Sequence, residues 1–252
     1  MLHPAGPTPS AEPSVRTVRF DYADPSTFEA ALEGVERLFW VSPPARPRRL
    51  LVVPPLFEKA LSRVKRVVLM TADGVELSEE IPLRKMERFV ETSGVDFVHL
   101  RPTWFMDNFH TFWIGSIRSD GVIALPAAEA RTAFIDARDI GRSASAALVR
   151  DDVSRSAYQA DGPRSADVRR GCGDLEPGLR PNDPLRADRG RRIRRRAVSA
   201  GIQREYAFML VQLFTAVRAG FASEPSPAVR ELTGDEPSTL ETYARDFAAL
   251  FA

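Results

Sequence analysis

Three short apolar runs constrain the fold of this chain more than any other feature of the sequence. They cover residues 37–42, 64–70 and 95–100, and a helical pattern over residues 79–93 lies between the second and the third. Apolar residues fill a strand that is buried on both faces, and strands separated by a helix pair in parallel through right-handed crossovers. The sequence therefore predicts an α/β fold built on a parallel sheet.

Weaker patterns extend this order toward both ends of the chain. Residues 1–14 are rich in proline and serine and predict a disordered leader. Residues 15–20 alternate between apolar and polar side chains and predict a strand. The other predicted elements are strands at 121–125, 131–135 and 156–160, a helix over 140–149 capped by Asp139, and helices over 204–220, 226–233 and 237–251. Together they predict a sheet domain over residues 15–150 and a C-terminal lobe over residues 151–252.

The charge balance and the cysteine content exclude several classes of protein. The chain carries 35 lysines and arginines against 34 acidic residues, a net charge of +1, so it is not a basic nucleic-acid binder overall. The single Cys172 excludes a disulfide within the chain and a cysteine-based zinc site, and no spacing of histidine with acidic residues suggests another metal site. No apolar run reaches the ~18 residues of a membrane span and no secretory signal is seen at the start, so we expect a cytoplasmic protein.

The segment 164–196 lacks the patterning found elsewhere in the chain. It contains eleven arginines and five acidic residues, with neither a helical nor a strand period. Structureless segments of this length are rare within compact domains. Two interpretations stay open: a compensated frameshift, which is the preferred one, and a true basic insert. The cluster at residues 191–196 has no interleaved aromatic residues for base stacking, so no nucleic-acid partner is expected.

Six segments carry a resemblance to a known family through their order and spacing. They are residues 18–25, 31–35, 38–44, 66–70, 100–109 and 132–140. Together they resemble the NmrA-like branch of the atypical short-chain dehydrogenases/reductases, specifically NAD(P)-binding members similar to clavine dehydrogenases of the ergot-alkaloid type. The resemblance covers residues 15–163 and 197–252. It implies a Rossmann-type sheet, NADP or NAD as the cofactor, and a small helical C-terminal lobe for a small-molecule substrate.

The chain departs from the family's pattern where the phosphates of the cofactor would bind. The family has a glycine-rich turn of the GxxGxxG type after its first strand, and this sequence contains none. Such glycines let the backbone approach the pyrophosphate at the start of a helix. By the resemblance, this chain begins near the loop before the family's third strand. We therefore expect an incomplete Rossmann-like sheet without the first βαβ unit, in a chain truncated at its N-terminus.

The resemblance implies a cofactor site after the first two predicted strands. Asp21 and Tyr22 would contact the adenine, and Val41, Ser42 and Pro43 would line the nicotinamide ribose. Simpler explanations stay open for both groups, because the first pair lies in a turn and a proline can merely end a strand.

Residues after the later strands complete the implied site. The cofactor-binding candidates there are Thr71, Pro102, Thr103, Trp104 and Phe105, and the substrate-binding candidates are Trp104, Asn108 and His110. The aromatic residues of this region also have the spacing of a helical core, so a packing role is the alternative.

Three side chains are candidate catalytic groups. Thr71 takes the position of a hydroxyl that polarises a substrate carbonyl in many short-chain reductases. Lys85 lies near the position of a catalytic lysine in some relatives, and His110 adjoins the implied substrate wall, where a histidine can exchange protons. Each has a structural alternative: a turn-forming threonine, a solvated helix lysine and a histidine without a carboxylate partner.

The general-acid motif Tyr-x-x-x-Lys of ordinary short-chain enzymes is absent from the sequence. The resemblance implies an NAD(P)H-dependent oxidoreductase that passes hydride to a carbonyl, imine or conjugated double bond of a small organic molecule. Two alternatives stay open: a non-catalytic protein that senses dinucleotides, and an inactive truncated paralogue.

Overall fold

The computed structural model describes residues 15–22, 24–42, 58–120, 131–167 and 224–251. Its strands are β1 (Arg37–Val41), β2 (Arg66–Met70), β3 (Asp96–Pro102), β4 (Arg131–Thr132), β5 (Ser156–Ala160) and β6 (Ala166–Asp167). β1, β2, β3 and β5 pair in this order as a parallel sheet, while β4 and β6 form a separate antiparallel pair. The parallel sheet confirms the predicted fold class.

Helices cover both faces of the sheet. They are α1 (Phe28–Leu32), α2 (Pro82–Thr92), α3 (Asn108–Thr111), α4 (Ile114–Asp120), α5 (Ala137–Val149), α6 (Ala228–Thr233), α7 (Leu240–Asp246) and α8 (Ala248–Phe251). Short 3-10 helices lie at Pro25–Thr27, Val75–Leu77 and Asp151–Val153. Within the described ranges, no helix is long and apolar enough to cross a lipid bilayer.

The alternation of side chains along β2 separates two hydrophobic layers. Val67 and Leu69 pack with α1 and α2 on one face, whereas Val68 packs with α5 on the other. All three side chains are fully buried, as expected for a strand covered on both faces. The second apolar run of the sequence is therefore a buried strand, as predicted.

The C-terminal helices form a third hydrophobic layer with the segment that follows β3. Phe109 and Ile117, on α3 and α4, pack with Tyr243 on α7 and Phe251 on α8. The Phe109 and Tyr243 side chains are fully buried. This layer joins the C-terminal helices to the end of the sheet from which α3 emerges.

Residues 15–20 do not form the predicted strand. They have no regular structure, and Val15 and Val18 leave 53% and 36% of their surface exposed. A strand is stable when a neighbour pairs with its main-chain N–H and C=O groups, and no strand of the described ranges pairs with this segment. Alternation of side chains does not supply that partner.

The helix predicted over 140–149 begins earlier, and its N-cap is Asp136 rather than Asp139. The Asp136 carboxylate accepts the main-chain N–H of Arg138 at 2.8 Å, which satisfies a donor that the first helical turn leaves free. Asp139 is buried within that turn, and its carboxylate accepts the N–H of Ser238 at 2.6 Å. The predicted cap is wrong because a long-range partner occupies that carboxylate.

The remaining predicted elements that lie within the described residues are present with shifted bounds. The helices expected over 79–93 and 226–233 correspond to α2 and α6, and the helix expected over 237–251 is divided into α7 and α8. The strand expected over 131–135 is reduced to β4. β5 lies within the range predicted for the C-terminal lobe yet pairs with β3, so the sheet continues past residue 150.

Several predicted segments fall outside the described residues. They are the leader at 1–14, the strand at 121–125, the helix at 204–220 and, from residue 168 onward, the arginine-rich segment 164–196. Pro43 of the predicted cofactor site also lies outside them.

Candidate functional site

The carboxyl ends of the four parallel strands meet at one edge of the sheet. The pairing continues beyond β2 and β3: the N–H of Thr71 donates to the Leu100 carbonyl at 2.8 Å, and the N–H of Asp73 donates to the Pro102 carbonyl at 3.0 Å. In α/β proteins, ligands bind in the crevice outside this end of the sheet. The residues that follow β1, β2, β3 and β5, here called the carboxyl edge, therefore form the candidate site.

Tyr22 joins the N-terminal segment to the carboxyl end of β1. Its hydroxyl donates to the Val41 carbonyl at 2.5 Å, and its ring centre lies 6.1 Å from that of Trp40. Burial raises the pKa of the Tyr22 phenol. The neighbouring Asp21 is exposed, and its main-chain N–H donates to the Thr27 hydroxyl at 3.1 Å. The structure thus places Tyr22 at the end of β1.

Val41 and Ser42 mark this end of β1. Val41 leaves 41% of its surface exposed. Ser42 is half-buried, and its hydroxyl lies 3.5 Å from the Met86 sulfur on α2. The first two residues predicted to line the nicotinamide ribose therefore border the carboxyl edge together with Tyr22.

The Thr71 hydroxyl points away from the crevice and toward a buried glutamate. It donates to Glu87 Oε1 on α2 at 2.8 Å, and Arg101 and Arg84 donate to the same carboxylate at distances from 2.6 to 2.9 Å. Burial acts to raise the pKa of Glu87, but the hydrogen bonds from Arg101, Thr71 and Arg84 outweigh it and hold the pKa below its usual value. Thr71 therefore takes part in a buried ionic network.

Sequence reasoning missed Glu87, although a signal for it exists. The helical face of α2 that carries Leu83, Met86 and Val90 is apolar, and Glu87 lies among these residues. A charged residue within an apolar face requires a buried partner of opposite charge. Arg101, at the end of β3, is that partner.

The Lys85 side chain forms an ion pair on the protein surface. Its ammonium group is 2.7 Å from the Glu80 carboxylate, and 58% and 86% of the two side chains are exposed. This placement matches the structural alternative, a solvated lysine on a helix.

The segment after β3 is held against the chain that leads into α5. The Thr103 hydroxyl donates to the Ala133 carbonyl, and the Thr103 N–H donates to the Ala160 carbonyl at 3.0 Å. The Ile135 N–H donates to the Trp104 carbonyl at 2.8 Å. These bonds fix the main chain of the predicted nicotinamide wall.

The side chains of this wall are partly buried. Pro102 is buried at the last position of β3, whereas Trp104 and Phe105 are half-buried. The Trp104 ring centre lies 6.1 Å from that of Trp113, and Phe105 forms an isolated bridge with Ile135. The wall is therefore continuous with the core of the C-terminal helices.

Asn108 and His110 lie on α3, beyond this wall. Asn108 is half-buried at the first position of the helix. His110 Nδ1 is hydrogen-bonded to the Tyr243 hydroxyl on α7, and its ring stacks on that of Phe247 with centres 5.3 Å apart. Burial raises the pKa of the Tyr243 phenol, so this hydroxyl keeps its proton. His110 thus contributes to the packing of α3 against α7.

Two carboxyl groups of the carboxyl edge are absent from the sequence-based prediction. Asp161 follows β5, is fully buried and accepts the Ser226 N–H at 2.9 Å and the Gln159 amide at 3.0 Å. Burial raises the pKa of Asp161 to about 7. Asp73 follows β2, and burial together with nearby Glu76 raises its pKa to about 6. An acidic residue soon after a predicted strand is the signal that could have found both.

A cavity of about 300 Å³ adjoins the β4–β6 pair and the start of α7. Met106, Phe134 and Leu240 contribute apolar surface to its lining. Arg131, Arg164 and Glu241 contribute charges of both signs, and Arg164 pairs with Glu241 at 2.9 Å. Cavities of this size hold small organic ligands. Met106 belongs to the segment that continues from the predicted wall, so the cavity is close in the chain to the carboxyl edge.

Glu87, Glu91 and His99 form a cluster whose ligand atoms lie within 4.8 Å of one another. His99 is buried, which lowers its pKa, and its ring nitrogens have no hydrogen-bond partner among the described residues. Arg84 donates to both carboxylates and Arg101 donates to Glu87. These positive charges disfavour the binding of a cation by the cluster. That the chain holds no metal stays a prediction.

The sequence relatives of this chain decide its family. No protein-family model matches the sequence. The chain is 29% identical over 229 residues to prestalk A differentiation protein A of Dictyostelium discoideum, covering 90% of this chain and 75% of that protein. It is 30% identical over 241 residues to agroclavine dehydrogenase of Claviceps fusiformis, covering 90% of this chain and 82% of that protein. The chain belongs to the NmrA-like branch of the atypical short-chain dehydrogenases/reductases.

A solved structure agrees with the NmrA-like assignment. NADPH-dependent quinone oxidoreductase of Escherichia coli, solved in complex with NADPH, superposes with a TM-score of 0.77 at 17% identity, covering 91% of this chain and 82% of that one. At this identity the likeness establishes the fold alone. The sheet of this NmrA-like chain is therefore Rossmann-like, as the resemblance implies.

Proposed function

We propose that this NmrA-like chain binds NAD(P)H at its carboxyl edge and acts as an oxidoreductase on small organic molecules. The observation that carries the proposal is the convergence of the segments after β1, β2, β3 and β5 on the crevice where α/β proteins bind dinucleotides. Family membership supports the proposal, because one relative is a dehydrogenase and a neighbour of the same fold was solved with NADPH.

The residues of the carboxyl edge fit the nicotinamide end of such a cofactor. Val41 and Ser42 would line its ribose, and Pro102 with the half-buried Trp104 would form an apolar wall for the ring. Tyr22 would lie toward the adenine. The fit does not extend to the phosphates, because the described residues include no glycine-rich turn whose N–H groups could receive them.

The dinucleotide, when bound, supplies the hydride. The protein's part is to hold the substrate against the nicotinamide and to exclude water. We propose a substrate with a carbonyl, imine or conjugated double bond. The cavity beside Met106 and Phe134, which has both apolar and polar lining residues, is large enough for a small molecule of this kind.

The proposed compartment is the cytoplasm. The single Cys172 forms no disulfide within the chain that an oxidising compartment would maintain.

A dinucleotide-binding protein without catalysis is the second candidate. The observation in its favour is that the predicted catalytic side chains have other partners: Thr71 donates to Glu87, and His110 bonds to Tyr243. The sequence also lacks the Tyr-x-x-x-Lys motif. Such a protein would bind NADPH at the carboxyl edge and leave it unoxidised.

A fluorescence titration with NADPH, combined with circular dichroism to establish folding, tests the binding site. The Val41→Arg variant places a long charged side chain at the end of β1 and should weaken binding. Val149→Arg is the matched control, because Val149 is also exposed and lies at the end of α5. This end of α5 is near the amino ends of the strands, since Arg37 at the start of β1 donates to the Leu148 carbonyl. Equal affinity in the two variants would contradict the proposed site.

A turnover assay separates the two candidate functions. Loss of NADPH absorbance with menadione or para-nitrobenzaldehyde would support the oxidoreductase. Binding without turnover of either probe would support the non-catalytic protein. A folded chain that does not bind NADPH would contradict both.

A further inference from the structure

A substrate carbonyl that accepts a hydride becomes an oxyanion, and a nearby acid must protonate it. The hydroxyl groups of Tyr22, Thr71 and Thr103 each donate to an oxygen atom of the protein. Lys85 lies in a surface ion pair with Glu80. These protic groups are therefore engaged with the protein itself.

Asp73 is placed differently from these groups. It lies in the turn after β2, and the bond from its N–H to the Pro102 carbonyl at 3.0 Å fixes it beside the end of β3. Its side chain is half-buried and forms no ion pair with the described arginines and lysines. An acidic group is thus located next to the proposed nicotinamide wall, with access to solvent.

We propose that Asp73 is the proton donor of the reaction at the carboxyl edge, a role that rests on the proposed function. The substrate's carbonyl carbon accepts the hydride with its electron pair from the nicotinamide, and the C=O double bond becomes a single bond with the negative charge on oxygen. The O–H bond of the Asp73 carboxyl breaks as its proton moves to that oxygen, which gives an alcohol. Asp73 regains a proton from water, and the dinucleotide is left oxidised.

The charged groups around Asp73 favour its protonated form. Burial and the negative charge of Glu76 raise the pKa of Asp73 to about 6. The positive charge of Arg101 and the hydrogen bond that the carboxyl group accepts from the Gly74 N–H act in the opposite direction. Asp161 carries the second carboxyl group of this edge, and the charge of Asp73 disfavours its ionisation. A donor whose pKa lies near the working pH can both release a proton and regain it.

An NMR titration of carboxyl carbons in the full chain tests the placement of Asp73 without catalysis. The oxidised nicotinamide ring carries a positive charge that the reduced ring lacks. We expect the midpoint of Asp73 to be lower with NADP⁺ than with NADPH by about one pH unit. The exposed Glu80, in the same connection between β2 and α2, should not respond. An Asp73 midpoint that is equal in the two complexes would overturn the proposal.

The Asp73→Asn variant tests the chemistry, and Glu80→Gln is the matched carboxyl-to-amide control. We expect Asp73→Asn to bind NADPH with unchanged affinity and to reduce para-nitrobenzaldehyde about 100-fold more slowly. In the wild type, kcat should fall as the pH rises through the pKa of Asp73, and this fall should be lost in the variant. Glu80→Gln should behave as the wild type.

The failure of this proposal is distinguishable from the failure of the proposed function. A wild-type chain that neither binds NADPH nor reduces the aldehyde would remove the function itself. If the wild-type chain reduces the aldehyde and the kcat of the Asp73→Asn variant stays within about threefold of it, the donor role alone would be removed.

Glu76→Gln gives a second variant. Loss of the negative charge of Glu76 should lower the pKa of Asp73, so the fall in kcat with rising pH should shift to lower pH. An unshifted pH profile would count against Asp73 as the donor.

Discussion

The guanidinium group of Arg101 binds both oxygens of the Glu87 carboxylate, with Nε 2.9 Å from Oε1 and Nη2 2.8 Å from Oε2. Glu87 is fully buried, and the Thr71 hydroxyl and Arg84 complete its hydrogen bonds. Since Glu87 lies on α2, Arg101 on β3 and Thr71 at the end of β2, this ion pair holds a helix against the carboxyl edge. The support of the proposed dinucleotide site is therefore electrostatic as well as hydrophobic.

Glu87→Gln should destabilise the protein strongly. The amide would leave Arg101 and Arg84 without their buried counter-charge, and breaking a buried ion pair typically costs about 3–5 kcal/mol. Chemical denaturation measures this change in the free energy of unfolding. Glu80→Gln, which removes an exposed pair with Lys85, should cost less than about 1 kcal/mol. Similar losses in the two variants would contradict the structural role of Glu87.

Because the pKa of folded Glu87 lies below its usual 4.5, its stabilising contribution has a defined pH dependence. It is fully present above pH 4.5 and is lost as the pH falls through the folded pKa. The difference in unfolding free energy between the wild type and Glu87→Gln should therefore shrink in acid. A difference that does not change with pH would show that packing, and not charge, accounts for the loss.

Asp161 should make the protein less stable as the pH rises. Burial raises its pKa from 3.8 to about 7, so the folded state holds this proton more tightly than the unfolded chain does. The contribution is complete below pH 3.8 and is lost as the pH rises toward about 7. The loss is at most about 1.4 kcal/mol for each pH unit. Unfolding of the wild type and Asp161→Asn across this range should show it, and parallel profiles would contradict the raised pKa.

The fold could be predicted where the sequence pattern is itself the physical cause. The run that contains Val67, Val68 and Leu69 becomes a strand because helices cover both of its faces, and continuous apolarity is the direct requirement of that burial. Residues 15–20 show the limit of such patterns. Their alternation fits a strand, but a strand also needs a pairing partner, and no local pattern reports one.

The candidate site was less predictable because long-range partners set the direction of its side chains. Thr71 and Glu87 are 16 residues apart in the chain, so nothing in the turn after β2 indicates that the threonine hydroxyl turns inward. His110 and Tyr243 are 133 residues apart, and their bond depends on how α7 docks on α3. The resemblance to a family indicated where to expect the candidate site, and only tertiary packing shows which of its groups already have partners within the protein.

Gly162→Ala should damage the structure, whereas Gly141→Ala should not. A Cβ atom at Gly162 would lie 1.9 Å from the Phe134 carbonyl oxygen, so the backbone would have to shift. Overpacking of this kind typically costs about 1–3 kcal/mol. A Cβ atom at Gly141, on α5, would have no heavy atom of another described residue within 4 Å, apart from its chain neighbours and the backbone of its own helix. Alanine there should stabilise the helix by about 0.5–1 kcal/mol. Thermal unfolding compares the two, and equal midpoints would contradict the close approach at Gly162.

Thr71→Val should lower stability without lowering the rate of reduction. Valine keeps the shape of the side chain but removes the hydroxyl that donates to Glu87 at 2.8 Å, and a buried acceptor that loses a donor costs about 1–3 kcal/mol. Thr92→Val is the matched control, because the Thr92 hydroxyl donates to the Arg88 carbonyl at 2.9 Å on an exposed part of α2. That control should change stability by less than about 0.5 kcal/mol.

The kcat for para-nitrobenzaldehyde should stay within about twofold of the wild type in both folded threonine variants, because neither hydroxyl is directed into the crevice. The opposite pattern, a large fall in kcat for Thr71→Val with unchanged stability, would contradict the inward orientation of this hydroxyl. It would instead support the carbonyl-polarising role that the family resemblance implies for Thr71, and Asp73 would then act beside it rather than in its place.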